Sequence, residues 1–301
     1  MATGRSEMMT KTSEQVRLLG EQFVDFSDVS DEVLPYLIRF LVSSSKTFGD
    51  PRVLEYTTVN SKIARVLHDN PASDAMLRIV YPDANGHPLT EGLDRFLSRS
   101  LSGQALRDRL SVCSSWIADN FVREGAKVID LGGGSGSYAF GAFQTKKPPV
   151  DFKWRVLDND PGALAVCDER TTAESLESVV ETQEGGFLSS KSICGQYDYG
   201  VLIGVLCGMD HDTAVNCLRR VQLHLRPGGE IYAATLLQRA FDEDPRTFRI
   251  LCNVGGWQLR PKTLEQVSDI FAEAGWEIIS IGSERVNQPG QYALVHARAI
   301  S

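Results

Sequence analysis

The sequence has no hydrophobic run approaching the roughly 20 residues that a membrane-spanning helix needs, and its opening stretch, Met1 to Arg17, is polar and unlike a signal peptide. A cytoplasmic protein with no membrane partner is the expectation. Basic charge is scarce: 31 Lys and Arg stand against 39 Asp and Glu, giving a net charge of −8. Such a balance offers no footprint for a phosphate backbone, so nucleic acid is not an expected partner. The six cysteines (Cys113, Cys167, Cys194, Cys207, Cys217, Cys252) include no C-x-x-C pair, and no clustered ligands mark a metal site. They read as reduced thiols in apolar surroundings. Internal repeats and low-complexity tracts are also lacking.

What is present divides the 301 residues into one large domain and a smaller appendage. Residues 1–12 combine Met, Thr, Gly and Ser with no apolar period and read as a disordered tail. From Ser13 onward Val16, Leu19, Phe23, Val33, Leu34, Leu37, Ile38 and Leu41 recur near helical spacing. Further helical stretches run over Val59 to His68, Glu91 to Leu101 and Gln104 to Phe121, separated by turn signals at Asn70-Pro71, Pro82-Asp83 and Asn85-Gly86. Residues 13–103 are therefore expected to form a helical lid or oligomerisation domain, with a homodimer through these helices as one use of it.

The pattern changes at Ala126. Lys127 to Leu131 is a short apolar run that ends in glycines, as a buried parallel strand does. Similar runs follow at Trp154 to Leu157, Val179 to Thr182, Tyr199 to Ile203, Glu230 to Leu236, Trp276 to Ile281 and Tyr292 to Ala297, with helical segments at Pro161 to Arg170, Asp212 to Leu225 and Thr263 to Ala274. Alternation of this kind predicts an α/β domain over 104–301, a Rossmann-like and mostly parallel seven-stranded sheet with helices on both faces. Only a loop with Asn287, Pro289 and Gly290 parts the last two strands, which should pair as an antiparallel edge hairpin.

Two features in this domain carry chemistry. Asp130-Leu131-Gly132-Gly133-Gly134-Ser135-Gly136 follows a strand and precedes a helix, where glycine permits a sharp turn and the helix start offers free N–H groups to a carboxylate or phosphate. Asp158 ends the next strand about 20 residues on, where a carboxylate accepts two hydrogen bonds from a ribose diol. Gly134-Ser135-Gly136-Ser137-Tyr138-Ala139 also fits the dinucleotide fingerprint, so an NAD-dependent dehydrogenase is an alternative. Against it, the charge of Asp130 disfavours a pyrophosphate and attracts an α-ammonium or a sulfonium.

With these residues in view, the chain resembles the class I S-adenosylmethionine (SAM)-dependent methyltransferases over roughly residues 105–298. The resemblance rests on Asp130 to Gly136, Leu157-Asp158-Asn159-Asp160-Pro161, Tyr197 to Leu206, Leu225-Arg226-Pro227-Gly228-Gly229-Glu230 and the Ala274-Gly275-Trp276 turn. It implies a SAM cofactor, with Gly132, Gly134 and Gly136 beneath the methionine portion, Asp158 on the ribose, Asn159 beside the adenine and Gly204 at the pocket floor. Where many relatives place an acid against the adenine amino group, this chain has Gly185-Gly186-Phe187-Leu188, and Phe187 either stacks on the ring or is plain core.

Methyl transfer is an in-line displacement, so positioning and, for some acceptors, proton removal are all that is required. His211 is the candidate general base; the competing arrangement has Asp210 or Asp212 capping the next helix with His211 exposed beside it. Tyr138 faces the sulfonium, binds the methionine carboxylate, or is core. Trp257 is a candidate wall of an acceptor pocket, and His68, His224 and His296 read as structural. The expected activity is methyl transfer to a small molecule, in specialised metabolism. The alternatives are SAM consumption at the aminobutyryl carbon (intramolecular cyclisation or aminocarboxypropyl transfer, releasing methylthioadenosine) and a non-catalytic SAM-binding protein.

Overall fold

A computed structural model describes residues 66, 74–81, 92–186, 197–253, 257–285 and 287–300. The expected tail, most of the N-terminal helical domain, Phe187 and Cys194 lie outside the described residues. The described part begins with α1 (Asp74–Val80), α2 (Gly92–Arg99) and α3 (Leu101–Asn120), and continues as β1 (Lys127–Leu131), α4 (Ser137–Thr145), β2 (Lys153–Asp158), α5 (Pro161–Ala173), β3 (Val180–Glu184) and β4 (Tyr197–Ile203). A 3-10 turn (Leu206–Gly208) leads to α6 (His211–Gln222), β5 (Leu225–Leu236), α7 (Gln238–Glu243), α8 (Pro245–Asn253), α9 (Leu264–Glu273), β6 (Trp276–Gly282) and β7 (Tyr292–Ala299).

The seven strands form one sheet in the order β3-β2-β1-β4-β5-β7-β6. Strands β1 to β5 are mutually parallel, whereas β7 runs antiparallel to both β5 and β6. The edge hairpin is thus as expected, and β7 enters between its partner and the parallel body. Alternate residues of the central strands feed opposite faces, which is the period-two signature of a strand covered on both sides. Val128, Tyr199 and Val201 join the cluster under α3 and α4, with Phe121, Phe140 and Trp154. Ile129, Leu131 and Leu202 join the cluster under α6 and α9, with Leu218, Phe271 and Trp276. Aromatic stacking fixes α3 on the sheet: Phe121 lies 4.1 Å from Tyr199 and Trp116 lies 4.0 Å from Tyr232, each pair close to parallel.

Three local differences from the sequence expectation have physical reasons. Strand β5 begins at Leu225, because Leu225 already pairs with Tyr197 ahead of a register shift, so the Arg226 to Gly229 turn is drawn into the ladder. Helix α8 starts at Pro245, a residue suited to the first helical position, and the Asp244 carboxylate accepts the Thr247 N–H. The same carboxylate accepts the Ser102 N–H (3.1 Å) and hydroxyl (2.9 Å), tying α8 to the start of α3. Helix α1 lay unread between two turn signals. Of the cysteines, Cys113, Cys167, Cys207 and Cys217 are buried and free and Cys252 is partly buried and free.

Helix α9 shows how a cap sets an element boundary. The Thr263 hydroxyl accepts the Gln266 N–H (3.1 Å) while the Gln266 side chain accepts the Thr263 N–H (2.9 Å). Thr263→Ala is expected to lower unfolding stability by about 1 kcal/mol, read as a lower urea midpoint with unchanged slope.

Candidate functional site

The strands β1, β2, β4 and β5 all end at the same side of the sheet, and a cavity of about 430 Å³ opens there. It straddles the gap between β1 and β4, where strand order reverses and α/β folds bind ligands.

The glycine loop forms one wall. The Gly132 N–H donates to the Leu157 carbonyl at 2.8 Å, which fastens the loop to the end of β2. Gly134 adopts φ +55°, and a Cβ there would lie 2.6 Å from the Asp74 carboxylate, so glycine is required for backbone and packing together. The Gly134 N–H donates to Asp158 Oδ2 (2.8 Å) and the Asp160 N–H donates to Asp158 Oδ1 (2.9 Å). Each carboxylate oxygen keeps a second acceptor direction, and Asp158 lines the cavity. Gly132, Gly133, Gly134 and Asn159 line it as well.

Two glycine-loop residues sit elsewhere than expected. Gly136 caps the start of α4 with φ +71° and faces Cys167 and Phe140, away from the cavity lining. Asp130 is 1% exposed and lies beneath Gly133, so no face of it reaches the cavity. Its Oδ2 and the nearby Trp154 Nε1 have no hydrogen-bond partner among the described residues; the indole lies near enough to favour the carboxylate but not aligned with it. Burial, reinforced by Asp158 and Asp74, pushes the Asp130 carboxyl up to about 8. Another acid that lines the cavity is Asp74 on α1, raised by burial and held 2.9 Å from Arg78 in an ion pair without hydrogen-bond alignment at Oδ2.

Arg109 forms the second charged feature. It projects from the middle of α3, is 2% exposed, and lines the cavity beside Gly204, whose position at φ +83° leaves the guanidinium uncovered. Its Nε donates to the Tyr138 hydroxyl (3.0 Å) and its Nη2 to the Tyr81 hydroxyl (3.3 Å), while the two hydroxyls lie 3.1 Å apart. The guanidinium also lies 4.6 Å over the Tyr292 ring. Among the described residues no carboxylate is within salt-bridge distance of it. Burial opposes the charge on Arg109, but the surrounding tyrosines outweigh it and hold the group protonated; burial likewise drives the Tyr138 hydroxyl well above its usual range.

The remaining wall is apolar: Ile203 and Leu236 from the strand ends, Phe248 and Leu251 from α8, then Trp257 and Leu259. Trp257 therefore lines the cavity as the sequence suggested. Lys262, 5% exposed, holds this wall in place by donating from Nζ to the carbonyls of Leu206 (2.8 Å), Met209 (2.9 Å) and Arg260 (3.0 Å). His211 is not in the cavity lining. Asp210 caps α6 by accepting the Thr213 N–H, and the His211 ring is exposed with Nε2 3.1 Å from Glu273. His211, the candidate base, therefore stands outside the described cavity lining with its ring turned to Glu273. His296 pairs with Glu230 at 2.9 Å.

Sequence reasoning missed Arg109 and Asp74. Arg109 did leave a signal, since Ala105, Arg109, Cys113 and Ile117 recur every four residues on the buried stripe of α3, and a charge on such a stripe calls for a partner.

No family model and no curated protein matches this sequence. Solved structures do match. A possible exported protein from Bordetella parapertussis superposes with TM-score 0.69 at 18% identity, covering 89% of this chain and 96% of that one. The mitomycin 7-O-methyltransferase MmcR gives 0.51 at 17% identity over 83% of this chain and 72% of its own. An O-methyltransferase family 2 protein from Planctomyces limnophilus DSM 3776, in complex with apigenin, gives 0.51 at 18% identity over 68% and 60%. The chain has the fold of the class I SAM-dependent methyltransferases.

Asp130 provides a test of the buried acids. Its folded value near 8 lies above the ordinary carboxyl value of about 3.9. Its contribution to stability is therefore full below the ordinary value and is lost as pH rises through about 8. Asp130→Asn does not titrate, so its urea midpoint is expected to gain on the wild type steadily between pH 5 and pH 8. A difference independent of pH would show that Asp130 is ionised throughout.

Proposed function

We propose that this chain is a SAM-dependent methyltransferase acting on a small molecule. The observation that carries the reading is the charge layout of a single cavity: a glycine loop locked to Asp158 on one side, with Asp74 beside it, and on the other a buried Arg109 with no carboxylate partner among the described residues. SAM carries an ammonium, a sulfonium and a carboxylate, and it supplies an electrophilic methyl group when bound. Arg109 suits the carboxylate, because a guanidinium held by neutral phenols keeps N–H donors for an anion. Asp74 supplies the opposite charge that the sequence had assigned to Asp130. Asp158 suits the ribose diol, since its oxygens are already fixed by two backbone N–H groups.

The dehydrogenase alternative loses support from the sheet. Dinucleotide-binding sheets run 3-2-1-4-5-6, whereas here an antiparallel β7 lies between β5 and β6. A small acceptor accords with the net charge of −8 and with a cavity bordered by α3 and α8.

Calorimetry with SAM tests the cofactor. Asp158→Asn keeps the size of the side chain and one acceptor oxygen, yet is expected to weaken SAM binding by at least ~1.5 kcal/mol, the scale of hydrogen bonds to a charged group. Arg109→Met should weaken it at least as much. Unchanged affinity in both variants overturns the placement. Incubation with SAM alone, followed by mass analysis of adenosyl products, separates the reactions: intact SAM is expected, and methylthioadenosine would instead indicate attack at the aminobutyryl carbon.

A further inference from the structure

Arg109 has donors beyond those its described neighbours accept. Its Nε donates to the Tyr138 hydroxyl (3.0 Å) and its Nη2 to the Tyr81 hydroxyl (3.3 Å), while Nη1 lies 3.7 Å from the point a Cβ of Gly204 would occupy. Arg109, Gly204, Tyr81 and Tyr138 all line the cavity. The hydroxyls add a further donor. A phenol has one proton and acceptor room for two bonds. Each phenol oxygen here accepts from Arg109, and the two oxygens are 3.1 Å apart, so a single proton lies between them. The tyrosine that donates in this contact has used its proton. The other has both acceptor directions filled and its own proton left over, with no acceptor for it among the described residues. Burial drives the Tyr138 hydroxyl well above its usual range even beside Arg109, so that proton is retained. N–H and O–H donors thus stand side by side around one positive charge, a set that suits an anion with two oxygens.

Building on the assignment of Arg109 to the cofactor carboxylate, we propose that Tyr81 and Tyr138 are alternate donors of one hydrogen bond to that carboxylate, and that this clamp selects adenosyl sulfoniums that carry it. A guanidinium N–H takes one carboxylate oxygen and the spare phenol proton takes the other. Phenol oxygens 3.1 Å apart are close enough for a single ligand oxygen to lie within hydrogen-bond reach of both. Removing either hydroxyl frees the proton of the one that remains, so the bond to the ligand persists. Removing both abolishes it.

Calorimetry with the full chain compares SAM with decarboxylated S-adenosylmethionine, which keeps the sulfonium, the amine and the adenosyl group and lacks only the carboxylate. The wild type is expected to bind SAM at least about 30-fold more tightly, the scale of hydrogen bonds to a charged group. Tyr81→Phe and Tyr138→Phe should each keep this ratio within about threefold, whereas the double variant should lose at least about tenfold of it. A packing role alone would weaken both ligands alike and leave the ratio unmoved in all three variants. If the Phe pair does not fold, Tyr81→Phe with Tyr138→Met, whose flexible side chain fills the same space without a hydroxyl, gives the same reading. A wild-type ratio near one places the clamped carboxylate on an acceptor instead and overturns the proposal. So does a tenfold loss in either single variant, or an unchanged ratio in the double one. Each of these results, with SAM still bound, leaves SAM as the cofactor; absence of SAM binding removes both readings.

Discussion

Arg109 sets terms that its neighbours must meet. A guanidinium cannot shed its proton, so burying it incurs a desolvation cost that hydrogen bonds and nearby π faces must offset. Here Tyr138 and Tyr81 accept its N–H groups and Tyr292 offers a ring face. These three residues come from α4, the chain after α1, and β7, so one side chain on α3 draws together elements far apart in sequence. The same demand reaches Gly204: a Cβ there would already touch the guanidinium at 3.7 Å, and any longer side chain would cover it. Among the described residues the cluster meets no negative charge, and Arg109 lines the cavity.

The opposite wall has the reverse imbalance. Asp158 and Asp74 lie close enough to reinforce the burial that raises Asp130, and the described cation beside them is Arg78, paired with Asp74. Two unbalanced charge groups in a packed interior are costly when separated by empty space and favourable when a zwitterion lies between them. The sheet topology creates this arrangement without special provision. Strand order reverses between β1 and β4, so the glycine loop and the Gly204 end diverge there and leave the gap into which α3 directs Arg109.

The features legible in the sequence were those determined within a few residues. The glycine loop, the strand-end Asp158 and the edge hairpin each follow from backbone conformation or local apolar pattern, and the structure has them where expected. Asp130 and Asp74 show where local reading ends. Both are acids near the loop, but which one faces the cavity depends on Gly133 packing over Asp130 and on α1 crossing above Gly134, and neither contact is written in the spacing. His211 shows the related limit that a strand end indicates which side of the sheet a residue reaches, not which way it points. Its orientation is fixed by the Asp210 cap and by Glu273 on α9. Arg109 was the reverse case, a tertiary feature that did leave a local mark on the buried stripe of α3.

The way the site is fastened bears on how it works. Reactions that depend on an in-line approach gain most from walls that hold position, since the acceleration comes from alignment. Asp158 is fixed by two backbone N–H groups, Lys262 locks the turn after β4 with three carbonyls, and Asp244 clamps α8 to α3. Each fastening joins a strand end or helix to another, so both halves of the cavity rest on the sheet and its packed helices.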